Sequence, residues 1–266
     1  MQGININLFE FFYDTNRIVL FFLVVVRISG IIFTSPVLGS EVISARVKLF
    51  LSILLGILLY PFVPIINLVD LNVVLLIIII VKELLIGIAT GLIARFLFVG
   101  VQFGGQIIGI QMGFGIVNVL DPQTNTQVSL VAQFQNIVMI LFFLVIGGHL
   151  YIVQAIAKSF EMIPLGVFVF KEQFFIYIVT IFSKIFLTAL KITAPIFVTL
   201  LVTQIVLGIM GRLVPQMNIL IVGFPIQIAS GIFIIMASMT FFYGMFESLM
   251  YDYLRNIYRL FRMLGG

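Results

Sequence analysis

The chain has 266 residues, of which 62% are hydrophobic and only 9% are charged. A soluble domain carries about 25% charged residues, so this chain lacks the charge that a water-facing globule requires, and lipid or partner subunits must cover much of its surface. Its net charge of +4 comes from scattered basic residues and does not favour nucleic-acid binding, and the absence of cysteine excludes disulfides, iron–sulfur clusters and thiolate zinc sites.

Six long apolar stretches follow one another along the chain, each near or above the roughly 20 residues that a helix needs to cross a bilayer. The strands of a membrane barrel would be about ten residues long with alternating polarity, and no such alternation is present. We therefore predict an all-α integral membrane protein whose apolar segments lie at about Ile18–Leu38, Val47–Ile66, Leu71–Val99, Gln127–Ala157, Phe174–Met210 and Ile219–Phe246.

Two of these segments are longer than one bilayer crossing requires. As a helix, Leu71–Val99 would span about 43 Å against a hydrocarbon core of about 30 Å. Phe174–Met210 is longer still, and Pro195 interrupts it. We expect tilted, kinked or paired helices, so the number of apolar segments is not itself a topology.

Six charged residues lie within or near the ends of the apolar stretches. Each would cost roughly 2.5–3.5 kcal/mol at the centre of a lipid-exposed helix. Their side chains should therefore face protein, water or the membrane interface. We predict that they make intramembrane polar contacts; they are Arg27, Lys82, Glu83, Arg95, Lys184 and Lys191.

Glu83 has two interpretations. Lys82 precedes it, but neighbouring residues on a helix point about 100° apart and do not neutralise each other. Gly87 and Gly91 lie near Glu83 on a face with small residues, where another helix could approach. Glu83 is either a polar contact at an assembly interface or proton-sensing site, or half of a structural ion pair with another segment.

Lys184 and Lys191 are seven residues apart and share one helical face. They could pair with acidic residues of a neighbouring subunit. The alternative is that their long side chains extend to the membrane interface.

The stretch from Gly100 to Gly115 is rich in glycine, with glycines at 100, 104, 105, 109, 113 and 115 and glutamines at 102, 106 and 111. As a plain helix it would pay a large entropy cost. Non-helical backbone at membrane depth is tolerated where protein or a water-filled cavity surrounds it, which favours a mobile loop at a pore. The alternative is a helix–helix packing seam, because Gly105, Gly109 and Gly113 recur every four residues.

Asp121-Pro122 follows this stretch. Aspartate before proline fits a helix N-cap with proline at the first helical position. We predict that Asp121 caps the helix whose apolar body begins near Val128.

Basic residues recur at the C-terminus, where Arg255, Arg259 and Arg262 form one stripe on a helix. This stripe suits an anionic inner-leaflet surface. The alternative is a solvated basic tail.

The sequence offers no pattern for catalysis. His149 is the sole histidine, and one histidine without cysteine does not make a typical zinc site. Neither a nucleophile-elbow motif nor a phosphate-binding loop is present. We predict no enzymatic activity and no cofactor.

Several short fragments, in order along the chain, carry a resemblance to a known family. They are Arg27 through Pro36, Lys82-Glu83 with Gly87, Gln111 to Phe114, Asp121-Pro122, Gly147-Gly148-His149, Ser159-Phe160 with Pro164, and Gly211-Arg212 through Pro215-Gln216 to Gly223-Phe224-Pro225. With these fragments in register over nearly the whole chain, the sequence resembles the FliR family, the flagellar biosynthesis export-gate proteins of bacterial type III secretion. The injectisome homologues of the SctT family are the nearest alternative, and the Asp-Pro and Gly-Gly-His features look more flagellar.

The resemblance implies a membrane subunit of the flagellar export gate, which forms the pore with FliP and FliQ, with FlhB attached. Unfolded flagellar substrates would pass through it at the basal body, in the bacterial inner (cytoplasmic) membrane. It also implies one export-gate domain, 1–266, made of helical hairpins and resembling a fusion of a FliP-like part, 1–173, and a FliQ-like part, 174–266. A small-solute channel or transporter would need membrane-embedded binding groups and often two similar halves, and neither is clear here.

The resemblance further places the family's pore-plugging loop on about Gly104 to Asn118. Apolar side chains there could seal a resting pore by excluding water, while the glycines let the loop swing aside. The residues predicted to form this plug are Phe103, Gly104, Gly105, Gln106, Gly109, Gln111, Met112, Gly113, Phe114 and Gly115.

Overall fold

A computed structural model describes residues 14–64, 72–114, 129–166, 172–216 and 218–265. In this part of the chain every regular element is helical. The α-helices are α1 (Thr15–Thr34), α2 (Ala45–Leu59), α3 (Val73–Gln111), α4 (Leu130–Val145), α5 (Gly148–Met162), α6 (Glu172–Leu213), α7 (Ile219–Ala237) and α8 (Met239–Gly265), and a 3-10 turn, Tyr60–Phe62, extends α2.

The six predicted apolar segments correspond to α1, α2, α3, the α4–α5 pair, α6 and the α7–α8 pair. Four of the described helices are long and apolar enough to cross a membrane, and the total rises to six if each bent pair is one span. The α4–α5 pair bends by 65° and the α7–α8 pair by 55°. These lengths and the apolar composition confirm the predicted all-α integral membrane protein.

The bend between α4 and α5 has a local cause. Gly147 adopts φ +78, a left-handed conformation that favours glycine. Its carbonyl then accepts a hydrogen bond from the backbone N–H of Leu150 at 2.8 Å, which starts α5. The apolar run that the sequence presents as one segment is therefore two helices.

At Pro195 the structure differs from the expectation of an interrupted segment, because α6 continues through this residue as one helix. Proline is tolerated inside membrane helices when neighbouring groups satisfy the freed backbone. The carbonyl that loses its helical donor here is that of Lys191, four residues earlier. The hydropathy pattern alone could not separate an interrupted helix from a continuous one.

The chain forms two compact units that are not contiguous in sequence. Unit 1 comprises Met1–Arg95, Gly147–Ile181 and Asp252–Gly266, and unit 2 comprises Phe96–Ile146 and Phe182–Tyr251. Helices α3, α6 and α8 each contribute residues to both. The division at 173 and 174 that the resemblance implies concerns ancestry and stays a prediction.

Helix α1 is central to unit 1. It is close to α2, since a Cβ atom on Gly56 would lie 2.9 Å from Val25, and to α3, since one on Gly30 would lie 3.1 Å from the Cα of Gly87. The two backbones can approach this closely only because both residues are glycine. The small-residue face predicted around Glu83 is therefore the contact between α1 and α3.

An aromatic cluster lies in the core of unit 2. Phe98 on α3 meets Phe143 on α4 edge to face at 5.7 Å between centroids, and Phe246 on α8 at 6.0 Å. All three rings are buried. Edge-to-face pairs of this kind add to the stabilisation that burial alone provides.

Candidate functional site

A buried ion pair lies at the centre of unit 1. Arg27 Nε on α1 donates to Glu83 Oε2 on α3 at 2.5 Å, and neither side chain is exposed to solvent. Arg27 lies three residues before Gly30, and Glu83 lies four residues before Gly87. The close helix crossing and the ion pair therefore support the same geometry.

The pair also holds the end of α5. Arg27 Nη1 donates to the carbonyl oxygens of Ser159 at 3.0 Å and Ile163 at 2.8 Å, and the guanidinium carbon lies 4.7 Å from the ring centroid of Phe160. Ser159 lies in the last turn of α5, where a cation interacts favourably with the helix dipole. Arg27 therefore ties α1, α3 and α5 together.

Both oxygens of Glu83 are engaged. Oε1 accepts a hydrogen bond at 3.0 Å from the backbone N–H of Gly166, a residue with φ +74. A buried carboxylate that pairs with a guanidinium and accepts a backbone N–H has its charge compensated where it stands. This geometry is that of the structural ion pair, the second of the two interpretations of Glu83.

The other predicted polar contacts lie outside this cluster. Lys82 is half-buried, while Arg95, Lys184 and Lys191 are exposed. Within the described ranges no ion pair reaches Arg95, Lys184 or Lys191. Lys184 and Lys191 do share an exposed face of α6, as their spacing predicts.

The glycine-rich stretch is helical where a loop was expected. Helix α3 continues to Gln111, so Gly104 to Gln111 belong to it. The expectation from glycine content was wrong for these residues, because tertiary contacts at the glycines override their low helix propensity. Of the predicted plug, only Met112, Gly113 and Phe114 follow the helix in the described chain; Gly115 and Asp121 lie outside the described residues.

The glycines of this helix serve two neighbours. On one side, a Cβ atom on Gly100 would lie 3.2 Å from Thr188 Cβ, and one on Gly104 would lie 3.2 Å from Thr193 Cγ2, both on α6. Gly105 and Gly109 lie on the other side of α3, which faces α4. The packing-seam interpretation, made for Gly105, Gly109 and Gly113, fits Gly105 and Gly109.

The contact with α4 is the tighter of the two. A Cβ atom on Gly105 would lie 2.6 Å from Ala132 Cα and from Gln135 Oε1, and one on Gly109 would overlap Ser129. Real Cβ atoms do not come this close to backbone. The start of α4 therefore fits against α3 only because these two positions lack side chains.

Sequence reasoning missed the polar groups at this contact. Gln135 is buried on α4, and neither its side-chain oxygen nor its nitrogen has a hydrogen-bond partner among the described residues; the hydroxyl of Ser129 is in the same condition. A search for charged residues passes over them. The signal that could have found Gln135 is an amide inside an apolar run.

Gly113 ends α3. Its backbone N–H donates to the Ile110 carbonyl at 3.0 Å, and the Phe114 N–H donates to the Gly109 carbonyl at 3.0 Å. With φ +89 at Gly113, this is a Schellman motif. Gly113 therefore has a different role from Gly105 and Gly109, although the four-residue repeat groups them.

The apolar side chains of the predicted plug lie in different settings. Met112 is fully buried, and Phe103 is 39% exposed with its ring edge to face against Phe186 of α6. Gln106 is exposed, and Gln111 Oε1 accepts from Gln204 Nε2 at 3.2 Å. The nine described residues of the predicted plug thus do not share one setting.

An apolar cavity of about 380 Å³ lies at the end of α3. Its walls come from α4, α7 and the residues just after α3. Its polar surface is negligible, so it can hold apolar groups and exclude water. The lining residues are Met112, Phe114, Leu130, Val131, Phe134, Ile232, Ile235 and Met236.

Comparisons with known proteins agree on one family. The family model "Bacterial export proteins, family 1" matches residues 18–253. Among curated relatives named flagellar biosynthetic protein FliR, the chain is 32% identical to that of Buchnera aphidicola subsp. Schizaphis graminum, covering 91% of this chain and 93% of the relative. It is 32% identical to that of Bacillus subtilis, covering 90% of each, and 34% identical to that of Pectobacterium carotovorum, covering 80% and 81%. The chain belongs to family 1 of the bacterial export proteins.

Proposed function

We propose that this chain is the FliR subunit of the flagellar protein-export apparatus. One observation carries the proposal: the identity of 32% extends over 91% of the chain and 93% of a relative named flagellar biosynthetic protein FliR. The similarity covers nearly the full length of both chains, and this chain has four to six candidate spans. The proposal therefore applies to the whole molecule and not to a shared segment.

The proposal extends to partners and location. FliP-like and FliQ-like subunits form the pore with this chain, and an FlhB-like protein attaches to it, in the inner membrane at the flagellar basal body. Exposed apolar residues on α6 support such partners. Other parts of the chain leave much of this helix exposed, including Val179, Phe186 and Leu190. Lys184 and Lys191 on the same helix supply charges that acidic groups of a neighbour can satisfy.

The pore plug is a further part of the proposal. Met112 and Phe114 border a cavity without polar lining, and such side chains form a deformable seal. Helix α3 ends at Gln111, so the part of the plug outside the helix begins at Met112. The left-handed conformation of Gly113 makes it a natural hinge, since glycine reaches other backbone conformations at little steric cost.

Gene deletion and complementation test the assignment. In a flagellated host that encodes this chain, deletion should abolish flagellin secretion and swimming, and expression of the chain from a plasmid should restore both. An affinity-tagged copy should co-purify the FliP-like and FliQ-like subunits from detergent-extracted membranes. Lys184→Ala/Lys191→Ala should weaken that co-purification, while Arg95→Ala, also an exposed charge, serves as the matched control.

Two results would contradict the proposal. Normal flagellin secretion in the deletion strain would remove the chain from flagellar export. A monodisperse, thermally stable monomer in mild detergent, with no accompanying subunit, would contradict its role as part of an assembled pore.

A further inference from the structure

Three helix ends meet at one end of unit 1. The hydroxyl of Tyr177, near the start of α6, donates to the backbone carbonyl of Asn256 on α8 at 2.9 Å. At the end of α8, a Cβ atom on Gly265 would lie 3.6 Å from Ile163, just after α5. Charged residues gather at this end of α8, from Asp252 to Arg262. Such charges are costly within the hydrocarbon core, which favours a position at the membrane–water boundary.

Helix α8 changes its exposed face as it reaches this end. Upstream, the exposed residues include Phe241 and Tyr251, each 57% exposed. Downstream, Arg255, Arg259 and Arg262 are exposed. The opposite face stays apolar and buried throughout, with Phe246, Met250, Tyr253, Ile257, Leu260, Phe261 and Leu264. Exposed aromatic residues followed by exposed arginines are typical of a helix that passes from the membrane interface into the headgroup layer.

Two of these arginines differ from the third in their ion pairing. Arg255 pairs with Asp252 at 2.9 Å, and on α5 Lys158 pairs with Glu161. Arg259 and Arg262 take part in no ion pair within the part of the chain that the structure describes. Three residues apart on one helix face, they present two guanidinium groups side by side.

We propose that Arg259 and Arg262 bind the phosphate of an anionic phospholipid at this membrane surface. Guanidinium groups donate paired hydrogen bonds to phosphate oxygens, and each basic residue at an anionic surface strengthens binding about fivefold. The two together give a preference of about 25-fold for anionic over zwitterionic lipid. This inference is independent of the export function.

The helix dipole does not account for both arginines. A cation stabilises a helix C-terminus only within the last turn. Arg262 lies in the last turn of α8, but Arg259 precedes it by almost another turn. A lipid phosphate at the headgroup level would supply negative charge to both arginines.

Native mass spectrometry tests the proposal on the full-length chain, purified in neutral detergent with any subunits that accompany it. The protein is titrated with dioleoylphosphatidylglycerol and, separately, with dioleoylphosphatidylcholine. We expect wild type to prefer phosphatidylglycerol, and R259Q/R262Q to lose about 25-fold of that preference. R259K/R262K, which keeps the charges, should retain most of it, and R212Q, the loss of an exposed arginine on α6, should retain all of it.

The folding control is the unfolding temperature in phosphatidylcholine. Equal values for wild type and R259Q/R262Q establish that the variant is folded. Equal binding of the two lipids by wild type would overturn the proposal, as would an unchanged preference in R259Q/R262Q. Displacement of the lipid by inorganic phosphate at matched concentration would indicate a site for a soluble anion. Binding of polyglutamate, together with no preference between the lipids, would indicate that the arginines bind an acidic protein. Either the phosphate result or the polyglutamate result would overturn the lipid assignment.

Discussion

Arg27 and Glu83 lie 56 residues apart in the sequence, yet Nε of one and Oε2 of the other are 2.5 Å apart with no part of either side chain exposed. The cost of removing both charges from solvent is offset only if their remaining polar atoms are also engaged. Glu83 meets this condition with the N–H of Gly166. Arg27 meets it in part, because its Nη1 donates to the carbonyls of Ser159 and Ile163, whereas its buried Nη2 has no hydrogen-bond partner among the described residues. The pair therefore fastens three helices of unit 1.

Removal of one partner should be far more damaging than removal of both. Glu83→Ala leaves the Arg27 cation buried without its counter-ion, and we expect a loss of about 3–5 kcal/mol in the free energy of unfolding. Arg27→Met/Glu83→Leu, which removes both charges, should lose less than either single variant. Thermal unfolding in mild detergent measures these differences, with Arg95→Gln as a control on an exposed charge; equal stability of Glu83→Ala and wild type would contradict the structural role.

Introducing a side chain at a glycine of the tight contact between α3 and α4 should push the two helices apart. Gly105→Val places atoms where Ala132 and Gln135 already lie, and overpacking of this kind costs about 1–3 kcal/mol. Gly208→Val is the matched control, because nothing lies within 4 Å of a Cβ atom there. Unfolding temperature and recovery of partner subunits are the measurements. Similar losses in the two variants would mean that α3 and α4 do not depend on this contact.

Alanine should have opposite effects at two glycines. At Gly113 the left-handed backbone penalises a Cβ atom by about 1–2 kcal/mol, and that atom would also lie 2.8 Å from the Phe224 ring. At Gly244, which is helical and open, Gly→Ala should stabilise by about 0.5–1 kcal/mol. Chemical unfolding of both variants compares the signs, and stabilisation by Gly113→Ala would contradict the Schellman motif at the end of α3.

The plug proposal predicts ion leakage. Deletion of residues 113–118 should leave assembly with partner subunits intact, because the packed glycines up to Gly109 are retained. The resting pore would then lose its apolar seal, and conductance across planar bilayers should rise above that of wild type. A pull-down of the partner subunits, measured on the same preparation, is the control. A deletion that assembles and remains as impermeable as wild type would rule out the plug.

The sequence alone was sufficient for the membrane character of the protein and for the order of its apolar segments. Hydropathy depends on composition along the chain, and the bilayer requires every backbone group to be satisfied within a helix. It also identified Arg27 and Glu83 as charges that need a partner, because an uncompensated charge in an apolar run is costly in any fold. None of these conclusions depends on which segments are neighbours in the fold.

Only the tertiary structure decided which partners meet. Nothing in the sequence near Arg27 points to Glu83 or to the end of α5, since such contacts depend on how helices cross. Glycine likewise permits a loop, a packing seam or a helix cap. In the helical region Gly100–Gly109, glycine is needed because α4 and α6 occupy the space that side chains would take. Gly113 ends that helix because its backbone is left-handed.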